Sequence, residues 1–257
     1  MSTTSANSAD TPLKGVTVVV TRAKAQASVL TEKLQALGAT VAAVATIEIV
    51  PPADGGAALT DALARGADFD QMVVASPNGA RALAAAVAES SVDATSLPPV
   101  ACVGPSTATK LADTALTVNV VPNRAVAEGL VDAMPTGEPG QRLLLVQAEV
   151  ARQVLASGLT AKGWLVERVT AYRTIDAAID PDDRERVLAG DLVTFTSSST
   201  VERFVRLLGI DAMPAVVASI GPITSATARD LGVRVDVEAD PHTIDGLIAA
   251  IAGWAKS

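Results

Sequence analysis

With 257 residues, 49% of them hydrophobic, the chain has room for two domains of ordinary size, each with its own core. Its net charge of −8 removes bulk electrostatic attraction as a route to nucleic acid or an anionic membrane surface, and an aromatic content of 2% leaves little to stack on flat ligands. A single cysteine, Cys102, excludes an internal disulfide, and a single histidine, His242, leaves no His-rich metal site and no serine–histidine triad.

Residues 1–11 are rich in Ser, Thr and Ala, lack the basic start and apolar stretch of a secretory signal, and are expected to form a disordered tail. No apolar run reaches membrane-spanning length, so a cytoplasmic protein is expected. Residues 16–20 form a continuous apolar run, as in a parallel strand covered on both faces. A helical pattern follows at 25–37 and stops at Gly38. Residues 40–50 then read as one long extended segment closed by Pro51-Pro52. Further strands are expected at 71–75, 100–103, 118–121, 143–146, 165–175, 192–196, 216–220 and 233–237, with a helix over 150–161. Strands alternating with helices predict a parallel sheet, and such sheets bind ligands beyond the carboxyl ends of their strands.

This order of elements occurs twice. Val20, Gly38 and Ile47 correspond to Leu145, Gly163 and Tyr172 at an offset of 125 residues, and Ser76 to Ser197 at 121. Gly104, Thr107 and Glu128 correspond to Gly221, Thr224 and Asp245 at 117. The offset shrinks between blocks and holds within them, as when loops lose residues and packed elements keep their length. Two similar α/β domains with a cleft between them are therefore expected. The long segments near 44–52 and 168–176 are expected to cross between them. The organisation is a tail over 1–11, a discontinuous domain of 12–44 plus 176–257, a continuous domain of 53–167, and a β-linker of 45–52 and 168–175.

The turns at the carboxyl ends carry the polar chemistry. Ser76-Pro77-Asn78 has the pattern of a helix N-cap, and Ser197-Ser198-Ser199-Thr200 has more hydroxyls than a cap needs. Surplus hydroxyls and free N–H groups at a helix start suit an anion. Gly104-Pro105-Ser106-Thr107 and Gly221-Pro222-Ile223-Thr224 pair an abrupt turn with a first-turn threonine, whose hydroxyl faces either a ligand or its own helix backbone. Arg22 and Arg152 fall at ligand-facing ends, with salt bridges as their alternative role. Tyr172, the chain's one tyrosine, lies in the second long extended segment. Cys102 is expected to be an inert buried thiol, and His242 a solvated residue before the last helix. No phosphate loop, dinucleotide fingerprint, H-E-x-x-H or C-x-x-C motif occurs, so neither a nucleotide nor a metal is implied.

Taken together, Thr21-Arg22, Ala75-Ser76-Pro77-Asn78, Val103-Gly104-Pro105-Ser106-Thr107-Ala108, Ala127-Glu128-Gly129-Leu130, Ala171-Tyr172-Arg173-Thr174, Thr196-Ser197-Ser198-Ser199 and Ile220-Gly221-Pro222-Ile223-Thr224 resemble the uroporphyrinogen-III synthase family. The resemblance implies two flavodoxin-like parallel-sheet α/β domains joined by a two-stranded β-linker, with the site in the cleft. It implies a lyase of porphyrin biosynthesis, feeding heme and related tetrapyrroles, that cyclises the linear tetrapyrrole hydroxymethylbilane with loss of water and inversion of ring D. It further implies no cofactor and a cytoplasmic monomer that contacts no nucleic acid or membrane, with room for a transient contact with the preceding pathway enzyme. The chain departs from the family where Ala75 replaces a frequent Thr, where Asn78 is uncharged, and where Gln147 stands opposite Arg22.

On that resemblance Tyr172 is the expected proton donor and Thr107 and Thr224 are positioning groups. Substrate binding is assigned to Arg22, Ser76, Asn78, Gly104, Pro105, Arg152, Ser197, Ser198, Ser199, Gly221 and Pro222. The alternative is a non-catalytic two-domain sensor of a small anionic, tetrapyrrole-like ligand, since one fold hosts many functions.

Overall fold

The computed structural model describes residues 11–21 and 24–256, with no side chains described for 24–28. Arg22 and all of the expected tail except Thr11 lie outside the described residues. The chain divides into two compact units, Met1–Glu48 with Ile175–Ser257, and Ile49–Thr174.

In chain order the elements are β1 (Thr17–Val20), α1 (Lys24–Ala36), β2 (Thr40–Ala43), β3 (Ile47–Val50), α2 (Ala57–Ala64), β4 (Gln71–Val74), α3 (Pro77–Glu89), β5 (Val100–Cys102), α4 (Pro105–Ala108), β6 (Val118–Val120) and α5 (Ala127–Ala133). They continue as β7 (Arg142–Ala148), α6 (Val154–Ala161), β8 (Leu165–Asp176), α7 (Pro181–Leu188), β9 (Leu192–Phe195), α8 (Ser198–Leu208), β10 (Val216–Ser219), α9 (Pro222–Asp230), β11 (Val237–Glu238) and α10 (Ile244–Trp254).

The apolar runs are central strands because both faces of each sheet are covered. In β1, Val18 and Val20 enter a cluster with Leu30, Leu34, Leu247 and Ile251, while Val19 enters one with Phe195, Val201 and Phe204. In β7, Leu144 and Val146 pack with Leu83 and Met72, and Leu143 and Leu145 with Leu130, Leu159 and Trp164. Each such side chain contributes about 1.5–3 kcal/mol on full burial. The helices turn one face to these clusters. Ala80, Leu83 and Val87 are the buried stripe of α3, and Val201, Phe204 and Leu208 that of α8.

The five-stranded sheet of the first unit has the order β2-β1-β9-β10-β11, and the six-stranded sheet of the second has β3-β8-β7-β4-β5-β6. The pairs β1–β2, β1–β9, β9–β10 and β10–β11 are parallel, as are β7–β8, β4–β7, β4–β5 and β5–β6. The first order is the flavodoxin-like 2-1-3-4-5 arrangement. The second reproduces it, with β7 and β8 as strands 1 and 2 and with β4, β5 and β6 as strands 3 to 5. Each unit thus takes strands 1 and 2 of this arrangement from one copy of the repeat and strands 3 to 5 from the other, with β3 added at the edge of the second sheet. The repeat is continuous in sequence but exchanged in space.

That exchange requires the chain to leave each unit after its second strand. The segments expected as a β-linker, 45–52 and 168–175, run as β3 and the second half of β8, neighbours in the six-stranded sheet. The extended run expected over 40–50 is not one strand but two. Val44 still donates to the Val20 carbonyl at 3.0 Å, extending the β2 ladder. Thr46 then turns inward, fully buried, with its hydroxyl donating to the Thr21 carbonyl at 3.2 Å and its carbonyl accepting from the Ala177 amide at 3.3 Å. Thr21 in turn donates to the Thr194 carbonyl at 2.9 Å. This buried threonine set fixes the break, whereas β8 runs unbroken for 12 residues. Other differences are local. The helix expected from residue 150 starts at Val154, and the strand expected over 233–237 is only Val237–Glu238.

Candidate functional site

In a sheet of this order the crevice lies at the carboxyl ends of strands 1 and 3, where the connections diverge to opposite faces. In the second unit those strands are β7 and β4. Ser76 lies two residues past the end of β4. Extended at φ −165° and ψ 159°, it caps α3, its Oγ accepting the Gly79 N–H at 3.1 Å, with Pro77 at the first helical position. The same Oγ lies 3.0 Å from the Tyr172 hydroxyl.

Tyr172 reaches Ser76 through an irregularity in β8. The register with β7 runs from Gln147–Thr170 to Ala148–Tyr172, so β8 holds one extra residue there. In a regular strand neighbouring side chains point to opposite faces. Here Ala171 and Tyr172 both pack on the cluster containing Leu83, Met72 and Val146. Such a bulge re-aims a side chain, and bulges concentrate near active sites. The Tyr172 carbonyl accepts from the Glu149 amide at 3.0 Å, which holds the irregular stretch in place.

The two Gly-Pro turns follow β5 and β10. Gly104 is required by close approach, since a Cβ there would stand 2.6 Å from the Ala125 Cβ. Gly221 has φ 159°, and a Cβ there would meet the His242 ring at 3.0 Å. Pro105 and Pro222 are exposed at the helix starts. Thr107 takes neither of the two orientations that the sequence offers. Thr107 is fully buried and its Oγ1 has no hydrogen-bond partner, so its hydroxyl faces neither solvent nor its helix backbone. The back-bond to the helix is made by Thr109, whose Oγ1 donates to the Pro105 carbonyl at 2.9 Å. Thr224 is also buried. Cys102 is wholly enclosed, and burial pushes its thiol up to about 11, which keeps it protonated and unreactive. His242 is exposed, with Nδ1 2.8 Å from the Ala239 carbonyl.

In the first unit the crevice strands are β1 and β9, with Thr21 just past the end of β1 and Ser197 two residues past the end of β9. Ser197 stands where Ser76 stands but does not cap its helix. Its Oγ is 3.1 Å from that of Ser199. Ser198 accepts from Thr227 Oγ1 at 2.7 Å and donates to the Ile223 carbonyl at 3.4 Å, tying the first turn of α8 to that of α9. Two further assignments have other partners. Arg152 is exposed and pairs with Glu128 at 3.8 Å. Asn78 Oδ1 accepts from Arg81 Nη1 at 2.6 Å. That contact places a cation in the first turn of α3 which the sequence reading missed, although its spacing of three from Asn78 is the signal for a shared helix face. Among the described residues no group of three or more His, Cys, Asp or Glu could hold a metal ion. An open groove of about 540 Å³ lined by Gln153, Ser157, Thr160, Val166 and Arg168 contains none of the expected site residues.

Comparison with known proteins bears on this arrangement. The family model for uroporphyrinogen-III synthase HemD matches residues 28–249. The uroporphyrinogen-III synthase of Synechococcus elongatus is 37% identical over 261 residues, covering 96% of this chain and 98% of that protein. Two solved structures share the fold. A mutant uroporphyrinogen III synthase from the extremely thermophilic bacterium Thermus thermophilus has a TM-score of 0.61 at 18% identity, covering 94% of this chain and 99% of that one. The uroporphyrinogen-III synthetase of Helicobacter pylori has a TM-score of 0.63 at 13% identity, covering 93% and 99%. The duplicated turns, the flavodoxin-like sheets and a relative matched along nearly its whole length agree, and the chain belongs to the uroporphyrinogen-III synthase HemD family.

Proposed function

We propose that the chain is a cyclising hydro-lyase that converts hydroxymethylbilane into uroporphyrinogen III, with Tyr172 giving the proton to the departing hydroxyl. Family membership supports the reaction. The observation that carries the role of Tyr172 is its position. The chain's one phenol stands within β8 opposite the carboxyl end of β7, displaced by a bulge and 3.0 Å from the hydroxyl at the head of α3.

The substrate brings the reactive electrons. Pyrrole nitrogen expels the hydroxyl of the terminal hydroxymethyl group and leaves a cationic azafulvene. The substituted carbon of ring D attacks it, and the resulting spiro intermediate fragments and recloses with ring D turned over. The protein's work is to hold a flexible chain in the productive loop and to help the hydroxyl leave, and positioning of this kind supplies roughly 7–11 kcal/mol in well-oriented systems. Because the protein itself carries a charge of −8, capture of a polycarboxylate is local rather than global. Turn amides, the hydroxyls of Ser197, Ser198 and Ser199, and the cations Arg22, Arg81 and Arg152 are assigned to it. Thr107 and Thr224, both buried, are assigned to positioning the Gly-Pro turns, Thr107 through packing since its hydroxyl has no partner. No cofactor is required by this chemistry. A cytoplasmic monomer is assigned from the family alone. Among the described residues no helix is long and apolar enough to cross a membrane.

The test is incubation with hydroxymethylbilane. A catalyst gives the type III isomer, and type I alone, the product of spontaneous closure, overturns the reading. Tyr172→Phe is expected to lower kcat by about 10²-fold with KM little changed, the range for loss of a general acid.

A further inference from the structure

Ser76 stands between the first turn of α3 and the Tyr172 phenol. A serine hydroxyl offers one hydrogen and two lone pairs. One lone pair is engaged by the Gly79 N–H at 3.1 Å, at the positive end of a helix of 13 residues. Its hydrogen is therefore directed away from the helix, and the partner within reach is the Tyr172 oxygen at 3.0 Å. The extra residue in β8 brings the phenol to that position. We propose that Ser76 is a positioning residue for the proton donor, giving its hydrogen to the Tyr172 oxygen so that the phenol's own hydrogen stays free for the substrate. This rests on the reading of Tyr172 as donor.

The balance is simple. The Tyr172 O–H bond and the substrate C–O bond break, and the proton and the departing hydroxyl leave as water. The pyrrole nitrogen lone pair replaces the electrons lost at carbon. The phenolate is held by the Ser76 O–H, itself polarised by the Gly79 amide, and regains a proton from ring D when that ring recovers its aromaticity. Nothing is oxidised or reduced.

A helix cap alone needs only an acceptor at Ser76, whereas the relay needs a hydrogen. Ser76→Ala removes both, Ser76→Asp keeps the cap acceptor with no hydrogen to give, and Ser76→Thr keeps both. Turnover of hydroxymethylbilane is measured for all three, in the wild-type and Tyr172→Phe backgrounds, with the thermal midpoint as a check on folding. Alanine and aspartate are expected to lower kcat about tenfold or more, with KM of the alanine variant within about twofold, and threonine to recover to within about threefold. Alanine causes no further loss when Tyr172 is already phenylalanine. The aspartate variant carries the test where loss of the cap unfolds the alanine variant. Recovery of turnover by aspartate, or equal loss in both backgrounds, overturns the relay and leaves Tyr172 as donor. Wild-type turnover in Tyr172→Phe overturns the donor assignment, and the relay with it.

Discussion

Cys102 and Ser219 occupy the same place in the two copies of the repeat, 117 residues apart, each closing the strand before a Gly-Pro turn. Their neighbours correspond at the same offset, Ala108 to Ser225. One copy fills the space with a thiol and a methyl group. The other fills it with two fully buried hydroxyls 2.5 Å apart. A buried hydroxyl deprived of its partner costs about 1–3 kcal/mol, while replacing both partners with apolar groups is nearly neutral. Ser225→Ala is therefore expected to lower stability by about 1–2 kcal/mol, and Ser219→Cys with Ser225→Ala to recover most of it. Thermal unfolding of both variants measures the coupling, and purely additive losses would refute it.

Thr107 presents the converse case. Its Oγ1 is buried with no partner, so desolvation is uncompensated. Thr107→Val removes that oxygen at nearly constant shape and is expected to raise stability by about 1 kcal/mol. A lower unfolding midpoint would mean that a buried water already satisfies the hydroxyl.

Turns and buried strands were legible in the sequence because their chemistry is local. Ser76-Pro77 marks a helix start, Gly104 and Gly221 mark close approaches, and the apolar runs at β1, β4 and β9 announce strands covered on both faces. The exchange of halves was read from the two overlong extended segments near 44–52 and 168–176, taken as crossovers, because hydrophobic periodicity by itself does not name a strand's partner. The break at Thr46 carries no Gly or Pro signal, since the deciding contacts come from Thr21 and Ala177, distant in sequence. Tyr172 was singled out as the lone phenol, but its bulge leaves no glycine to betray it, so Ser76 was read as a binding residue rather than as the neighbour of the phenol. Thr107 was expected to face either a ligand or its own helix backbone, and a four-residue helix gives too short a pattern to tell an inward side from an outward one.

At the opposite ends of the strands of the second unit, Glu167 bridges two arginines. Arg65 and Arg142 donate to its two oxygens at 2.7 and 2.8 Å, and both guanidiniums lie over the Phe69 ring, at 5.6 and 5.2 Å. The hydrogen bond from Arg65 holds the Glu167 carboxyl below its ordinary value of 4.5, against a smaller opposing push from burial. A depressed carboxylate contributes stability above its unfolded pKa and loses it as pH falls through the folded one. Glu167→Gln should therefore be less stable at pH 7 by about 0.5–1 kcal/mol, a small figure because the side chain is 35% exposed and solvent screens it. The gap closes as pH falls below about 4.5. Asp54 and Asp93, lowered by hydrogen bonds from Ala58 and Thr95, keep part of the acid slope in the variant. Unfolding midpoints across this range check the prediction, and a gap that persists at low pH would contradict it.

Gly104 fixes how tightly the turn after β5 sits against the loop after β6. A Cβ would come to 2.6 Å from the Ala125 Cβ and 3.4 Å from its Cα, so the hard contact is with a single methyl group. The backbone at φ −177° suits any residue, so the obstacle is space rather than strain. Gly104→Ala is expected to cost about 1–3 kcal/mol through overpacking and to displace Pro105 and Thr107, lowering kcat/KM. Ala125→Gly removes the opposing methyl group, so the double variant should regain much of both stability and turnover. If the double variant is as impaired as Gly104→Ala alone, close approach to Ala125 is not what requires glycine at this turn.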